Sequence, residues 1–430
     1  MNRTLVLTAF ALVSTFGATA VQAATRKICY EFLFNDQRSD CPLAADPGVR
    51  QACLQKYMNF VSAADGDYSN PVGSYLEVWD KDDSSADEYI GTWIIGGTGQ
   101  RCVTFEWEGA SYSKGEANPD VYLKWKSKVR APAGGPTVLA ENTSGTDYGD
   151  VSFRTSATSN CANGATCTWS GYHVVSDDAL SERGGRAQIL NSAEHMLAVY
   201  STIMDASQIN VAWPASGSSS SSRTQFQIAG DASVGGTAVD NRALMGQSTA
   251  HELGHVLQQQ MFHQDFLTDD CSLGGSTHSI PGSEYESCAT TEGWADYVAA
   301  VSFWDPANAA SAPARFGFDY VTATPSSAVC SSNAAIEGMV ARAFWDLDDS
   351  TSEAGAAPAA IADSYNATST FIAQGWDEFA NGTGNHDDGE SDRDGVNLQD
   401  YYFNNSARFV SVNLDDTLLD HNCMASQTSL

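Results

Sequence analysis

From Gly73 to Val129 the chain alternates apolar and polar side chains in short runs, "SYLEVWDKD", "YIGTWIIGG", "CVTFEWEG" and "DVYLKWKSKV", each bounded by Gly, Asp, Asn or Ser. A period of two sends successive side chains to opposite faces of a strand, and such runs in succession predict a small antiparallel β-sandwich. The alternation then lapses. Residues 131–185, opening "APAGGPTVLAENTSGT", are rich in Gly, Ser, Thr and Asn and read as a linker with one strand, "DVSFRTS". Beyond them the period lengthens to that of a helix. In "RAQILNSAEHMLAVYSTIMD" the positions Ile189, Leu190, Ala193, Met196, Leu197, Tyr200 and Met204 share one face. His195 on this helix has no partner at i+4 and reads as a surface or core-edge residue. "SQINVAWP" and "TQFQIAG" read as strands flanking the serine-rich loop "SGSSSSSR". Two further helical stretches follow, "STAHELGHVLQQQMF" and "ATTEGWADYVAAVSFW".

The segment "LEVWDKDDSSADEYIGTW", followed by "NPDVYLKW", resembles the transthyretin-like sandwich of secreted proteins over residues 73 to 130. That resemblance implies a binding or folding module without chemistry of its own. The expected architecture is α+β: a larger domain with a mixed-sheet lobe and a helical lobe, preceded by the small sandwich. In residue numbers this is a signal peptide at 1–23, the sandwich at 24–130, the linker at 131–185 and the larger domain at 186–430.

Composition changes the setting. The first residues, "MNRTLVLTAFALVSTFGATAVQA", carry one cation, Arg3, an uncharged apolar run and small residues at Val21 and Ala23, as a secretory signal does. No later stretch reaches the roughly 18 uninterrupted apolar residues of a membrane crossing. Ten cysteines lie beyond the signal, and an even number in an exported chain points to disulfides, with Cys161–Cys167 and Cys271–Cys288 as local pairs to test. The formal net charge of −31 becomes −32 when Arg3 leaves, which disfavours nucleic acid and anionic membranes as partners. A secreted or periplasmic monomer is expected.

The candidate chemistry starts at His251 and His255. Residues i and i+4 project from one face of a helix, so both imidazoles can reach one ion. Glu252 is rotated about 100° from His251, beside the ion and outside its coordination sphere, where a general base for hydrolysis would stand. Hydrolytic zinc uses three protein ligands and one open position. A third histidine at the metzincin spacing is absent, because Gln258 and Met261 occupy the glycine and histidine positions, and His263 falls two places late. Glu292 on the second helix supplies the third ligand, and Asp296, one turn on, can accept a hydrogen bond from a ligand imidazole. Gly254, a poor helix former, reads as a close-packing position.

These residues resemble the gluzincin metallopeptidases, the thermolysin and fungalysin group. "EGWADYVA" is similar to the fungalysin-type "EGWSD", and "EGMVARAFWDL" to a helix further along in such enzymes. The resemblance, confined to about 185–350, implies that residues 186–430 form a zincin-like metallopeptidase domain acting on a protein or peptide, with Zn2+ at His251, His255 and Glu292, Glu252 as the base and Asp296 behind a ligand. One departure is the 36 residues (256–291) between His255 and Glu292, more than in thermolysin, with Cys271 and Cys288 inside that interval; they read as a disulfide-pinned loop over the cleft. For the oxyanion donor, Tyr285, His278, Tyr297 and His386 are candidates, and spacing selects none. "NHDDGESDRDGVNLQD" sets Asp388, Glu390, Asp392, Asp394 and Asp400 around Gly395, close to a Ca2+ loop, although Asn397 stands where an EF-hand has an apolar residue; the alternative is a solvated acidic loop. A second functional class stays open: an exported adhesin or binding protein whose metal site is structural or degenerate.

Overall fold

The alternating runs do form strands, but their partners lie further along the chain than alternation can reveal. The computed structural model describes residues 24–35, 68–69, 73–81, 86–94, 100–107, 119–131, 134–141, 166–168, 173–174, 182–215, 220–229, 246–262, 280–281, 285–304, 306, 314–315, 318–319, 335–348, 368–376 and 398–405. Its strands are β1 (Ala24–Asn35), β2 (Tyr68–Ser69), β3 (Ser74–Asp80), β4 (Glu88–Ile94), β5 (Gln100–Trp107), β6 (Val121–Arg130), β7 (Thr137–Glu141), β8 (Thr166–Thr168) and β9 (His173–Val174). They continue with β10 (Gln208–Ala215), β11 (Ser220–Ser222), β12 (Gln225–Ala229), β13 (Ala314–Arg315) and β14 (Phe318–Asp319). The helices are α1 (Glu182–Tyr200), α2 (Gly246–Met261), α3 (Glu286–Phe303), α4 (Glu337–Asp348), α5 (Ser369–Ala373), which runs into a 3-10 turn at Gln374–Trp376, and α6 (Leu398–Asn405). The class is α+β with a mixed sheet, as expected.

The strand pairing runs across the expected domain boundaries. β3 pairs antiparallel with β4 and β6, and β6 antiparallel with β7. β7 then pairs in parallel with β10, and β10 in parallel with β12, which carries β11 antiparallel on its far side. The result is one seven-stranded sheet in the order β11-β12-β10-β7-β6-β3-β4. Strands expected in a separate antiparallel sandwich thus share a sheet with strands assigned to the next domain, and β7, placed in a linker, joins them. β5 leaves its sequence neighbours to pair with β1 in a second sheet that also takes β2, β8 and β9. Alternation fixes which face of a strand is buried; it carries no information on the partner or its direction. The strand expected at "DVSFRTS" lies outside the described residues.

One face of the large sheet is closed to water. Leu76 and Val78 of β3, Leu123, Trp125 and Val129 of β6, Val138 and Ala140 of β7, Ile209, Val211 and Trp213 of β10, and Ile228 of β12 are fully buried. Burying each large apolar side chain contributes about 1.5–3 kcal/mol, enough to forbid a one-residue slip that would turn all of them outward. The opposite face keeps polar partners: Lys124 Nζ lies 4.0 Å over the Trp79 ring and Lys126 sits 3.3 Å from Glu77. α1 packs across β6 and β7, and its six periodic positions from Ile189 to Tyr200 are all buried, as is Met204 just beyond its end. α2 rests on β11, β12 and α1, α3 on α2 and α4. Gln260 pins the end of α2: its side chain accepts from the Asp205 N–H at 3.1 Å and donates to the Arg223 carbonyl at 2.8 Å. None of the described helices is long and apolar enough to cross a membrane.

α1 carries two titratable groups with opposite demands. Burial pushes the Glu194 carboxyl up to about 7 and brings His195, packed 5.0 Å from the Phe303 ring, down to about 4. Glu194 holds its proton more tightly folded than unfolded, so its contribution is complete below about 4.5 and is lost as pH rises through about 7. His195 has the reverse sign: its contribution is complete above about 6.5 and is lost as pH falls toward about 4. Glu194→Gln is expected to raise stability by about 1–3 kcal/mol at pH 8 and to leave it unchanged at pH 4. Denaturant midpoints of the two proteins at both pH values check this; equal midpoints at pH 8 would contradict it.

Candidate metal centre

α2 and α3 cross where α2 has no side chain. A Cβ placed on Gly254 would lie 3.0 Å from Ala295 Cα, 3.1 Å from Val298 Cβ and 3.3 Å from the Ala295 carbonyl oxygen, so the contact is backbone on backbone. On the far side of α3, Gly293 serves α4 likewise, with the Glu337 carbonyl oxygen 2.6 Å and Val340 Cβ 2.7 Å from the position of a Cβ. Two glycines let three helices stack close together, and the residues beside them are those singled out from sequence.

His251 and His255 from α2 meet Glu292 from α3. His251 Nε2 is 3.0 Å from Glu292 Oε2, His255 Nε2 is 3.4 Å from the same oxygen, and the two imidazole nitrogens are 3.1 Å apart. Donors held about 2.0–2.1 Å from one zinc ion at tetrahedral angles lie about 3.3–3.4 Å from each other, so this triangle has the right size, and two imidazoles with a carboxylate suit zinc chemically. Among the described residues this is the one such group of potential ligands. On its other side, His251 Nδ1 lies 2.7 Å from Asp296 Oδ1. An ionised carboxylate only accepts, so Nδ1–H donates to Asp296 and Nε2 is the ring atom turned toward Glu292.

Glu252 follows His251 on the helix and is buried beside it, and Asp296 is fully buried. Burial by itself would raise the Glu292 carboxyl. The charge on His255, hydrogen bonds from both imidazoles and the charge on His251 outweigh it and hold the group well below the ordinary carboxylate range. Glu292 is therefore an anion at neutral pH, the state a cation requires of its ligand.

The other sequence candidates are placed unevenly. Tyr285 immediately precedes α3 with an extended backbone and is half-buried. Tyr297 is fully buried, and its hydroxyl donates to Asp348 at 2.7 Å, within the helical core. Asp400 is buried on α6. His263, His278, His386, Asp388, Glu390, Asp392 and Asp394, and also Cys161 and Cys271, lie outside the described residues; among those described no cysteine is free. Sequence reading passed over Trp294, whose indole Nε1–H donates to the Gly254 carbonyl at 3.1 Å. A tryptophan between two acidic candidates was its only signal.

Residues 198–392 match the family model of the Mycolysin C-terminal domain, a stretch just short of half the chain that contains α2, α3 and α4. The match relates this region, with its potential metal ligands, to a peptidase family. No curated protein matches the chain. Among solved structures, 40% of the chain aligns with 23% of a 9R-lipoxygenase from Cyanothece, at 13% identity and a TM-score of 0.21, a likeness that supports no argument about fold or function.

Replacing Asp296 by Asn keeps the size of the side chain while removing its charge and leaving its orientation free. Asp296→Asn is expected to weaken Zn2+ binding about 10–100-fold. Competition against a chromophoric chelator measures this, and unchanged affinity would remove Asp296 from the site.

Proposed function

We propose that the protein is a secreted zinc-dependent metalloendopeptidase of the gluzincin type. The observation that carries this reading is the convergence of His251, His255 and Glu292 from two helices, with Asp296 behind His251 and Glu252 alongside. An ion bound there would supply Lewis-acid polarisation of a carbonyl and acidify water at the open position.

The protein's own residues do the rest. Glu252 accepts a proton from the attacking water as its oxygen bonds to the scissile carbonyl carbon, then delivers it to the departing amine nitrogen as the C–N bond breaks. Asp296 keeps the His251 ring in one orientation and tautomer. Tyr285 and His386 stay open as donors to the oxyanion, and a calcium loop at Asp388, Glu390, Asp392, Asp394 and Asp400 remains part of the proposal through its sequence pattern. The acidic charge and the apolar N-terminal stretch support export, a peptide substrate and no association with nucleic acid or membrane.

The binding-protein reading is weaker at this site. Structural zinc is normally closed by a fourth Cys or His, and it has no use for an acid in the position of Glu252. Glu252→Gln should retain Zn2+ and lose casein or fluorogenic-peptide hydrolysis by a factor of at least about 100, comparable to removing a general base. A chelator should abolish wild-type hydrolysis and added Zn2+ restore it. Equal cleavage by wild type and Glu252→Gln would refute the catalytic assignment.

A further inference from the structure

Trp294 lies between Glu292 and Asp296 on α3, and no step of the chemistry falls to it. Its indole N–H nevertheless reaches the other ligand-bearing helix, donating to the carbonyl of Gly254, the residue directly before His255. A helical carbonyl that already accepts its intrahelical N–H has a second lone pair for such a bond.

The contact around it needs a directional element. Gly254 presents no ridge to α3, so van der Waals packing against Ala295 and Val298 sets how near the helices come without fixing their slide or rotation. A hydrogen bond weakens steeply once its angle falls below about 120°, so it fixes both. The indole cannot follow a shifted α2. It is held against Tyr297, Phe344 and Trp376, at ring-centroid distances of 5.5, 5.3 and 5.6 Å, which belong to α3, α4 and the 3-10 turn. One side chain thereby ties the carbonyl beside His255 to the core behind Glu292.

We infer that Trp294 is a positioning residue for the metal centre: its indole N–H sets the register of α3 on α2 and so keeps Glu292 opposite His251 and His255. This rests on the metal-centre reading above. A functional constellation tolerates displacements of only about 0.5 Å, so a helix free to slide by more would open the triangle.

The test uses the full chain with Trp294 replaced by β-(3-benzothienyl)alanine, which keeps the shape and substitutes sulfur for the N–H, beside Trp294→Phe. The probe is Co2+ alone, read by chelator competition and by its visible absorption spectrum, with kinetics on the zinc-loaded proteins. Both variants are expected to bind Co2+ about tenfold or more weakly, with altered absorption bands. In the isostere kcat falls while KM changes less than about twofold, and its thermal midpoint shifts by no more than about 8 °C, as for the loss of one hydrogen bond. An isostere that binds Co2+ with wild-type affinity and spectrum overturns the inference even if Trp294→Phe is impaired, since bulk would then be the cause. Wild type that takes up no Co2+ overturns the metal-centre reading and this inference with it; wild type and isostere binding alike removes only the role of Trp294.

Discussion

The close approach of α2 to α3 at Gly254 is the constraint on which the rest depends. A Cβ there would sit 3.0 Å from Ala295 Cα, so tight that the facing helix would have to give by a few tenths of an ångström. An imidazole and a carboxylate rooted on two helices at ordinary separation, about 8–10 Å between axes, can meet, but three donors within 3.4 Å of one another require the approach to be set closely. Gly293 repeats the device one layer further in, and the sheet under α1 and α2 supplies the fixed surface on which the stack rests. Helix propensity is given up at both glycines, by about 1 kcal/mol each relative to alanine, in return for geometry.

That geometry creates an electrostatic condition. Glu292, Glu252 and Asp296 are all withdrawn from water in a chain whose formal charge is already −31. Buried carboxylates without a counter-charge would be a heavy penalty, and between Glu292 and Asp296 the site answers it with the His251 imidazole. A divalent cation would complete the compensation. In the proposed reading, the acid groups are tolerable because the site is built to hold a cation, and the stability of this region is linked to that ion.

Much of the site was legible because its signals are local. The i, i+4 histidines, the glutamate between them and the Glu292/Asp296 pair follow helical spacing, and the structure brings His251, His255, Glu292 and Asp296 together. Gly254 was readable as a packing position from its poor propensity. The sheet was less legible. Alternation marked β3 and β6 as strands, yet the parallel pairing of β7 with β10 spans some 70 residues and depends on contacts that no local pattern records. Trp294 was missed for a related reason: an indole hydrogen bond across a helix interface leaves no periodic trace.

The central claim, that two imidazoles of α2 and one carboxylate of α3 bind a single ion, is tested most directly by zinc K-edge X-ray absorption on the zinc-loaded full chain, with Glu292→Ala as the control. The account predicts one ion per chain, two imidazole nitrogens and light oxygen donors at about 2.0–2.1 Å, no sulfur, and loss of the ion in the control. Sulfur scattering at about 2.3 Å, or an unchanged spectrum in Glu292→Ala, would contradict it.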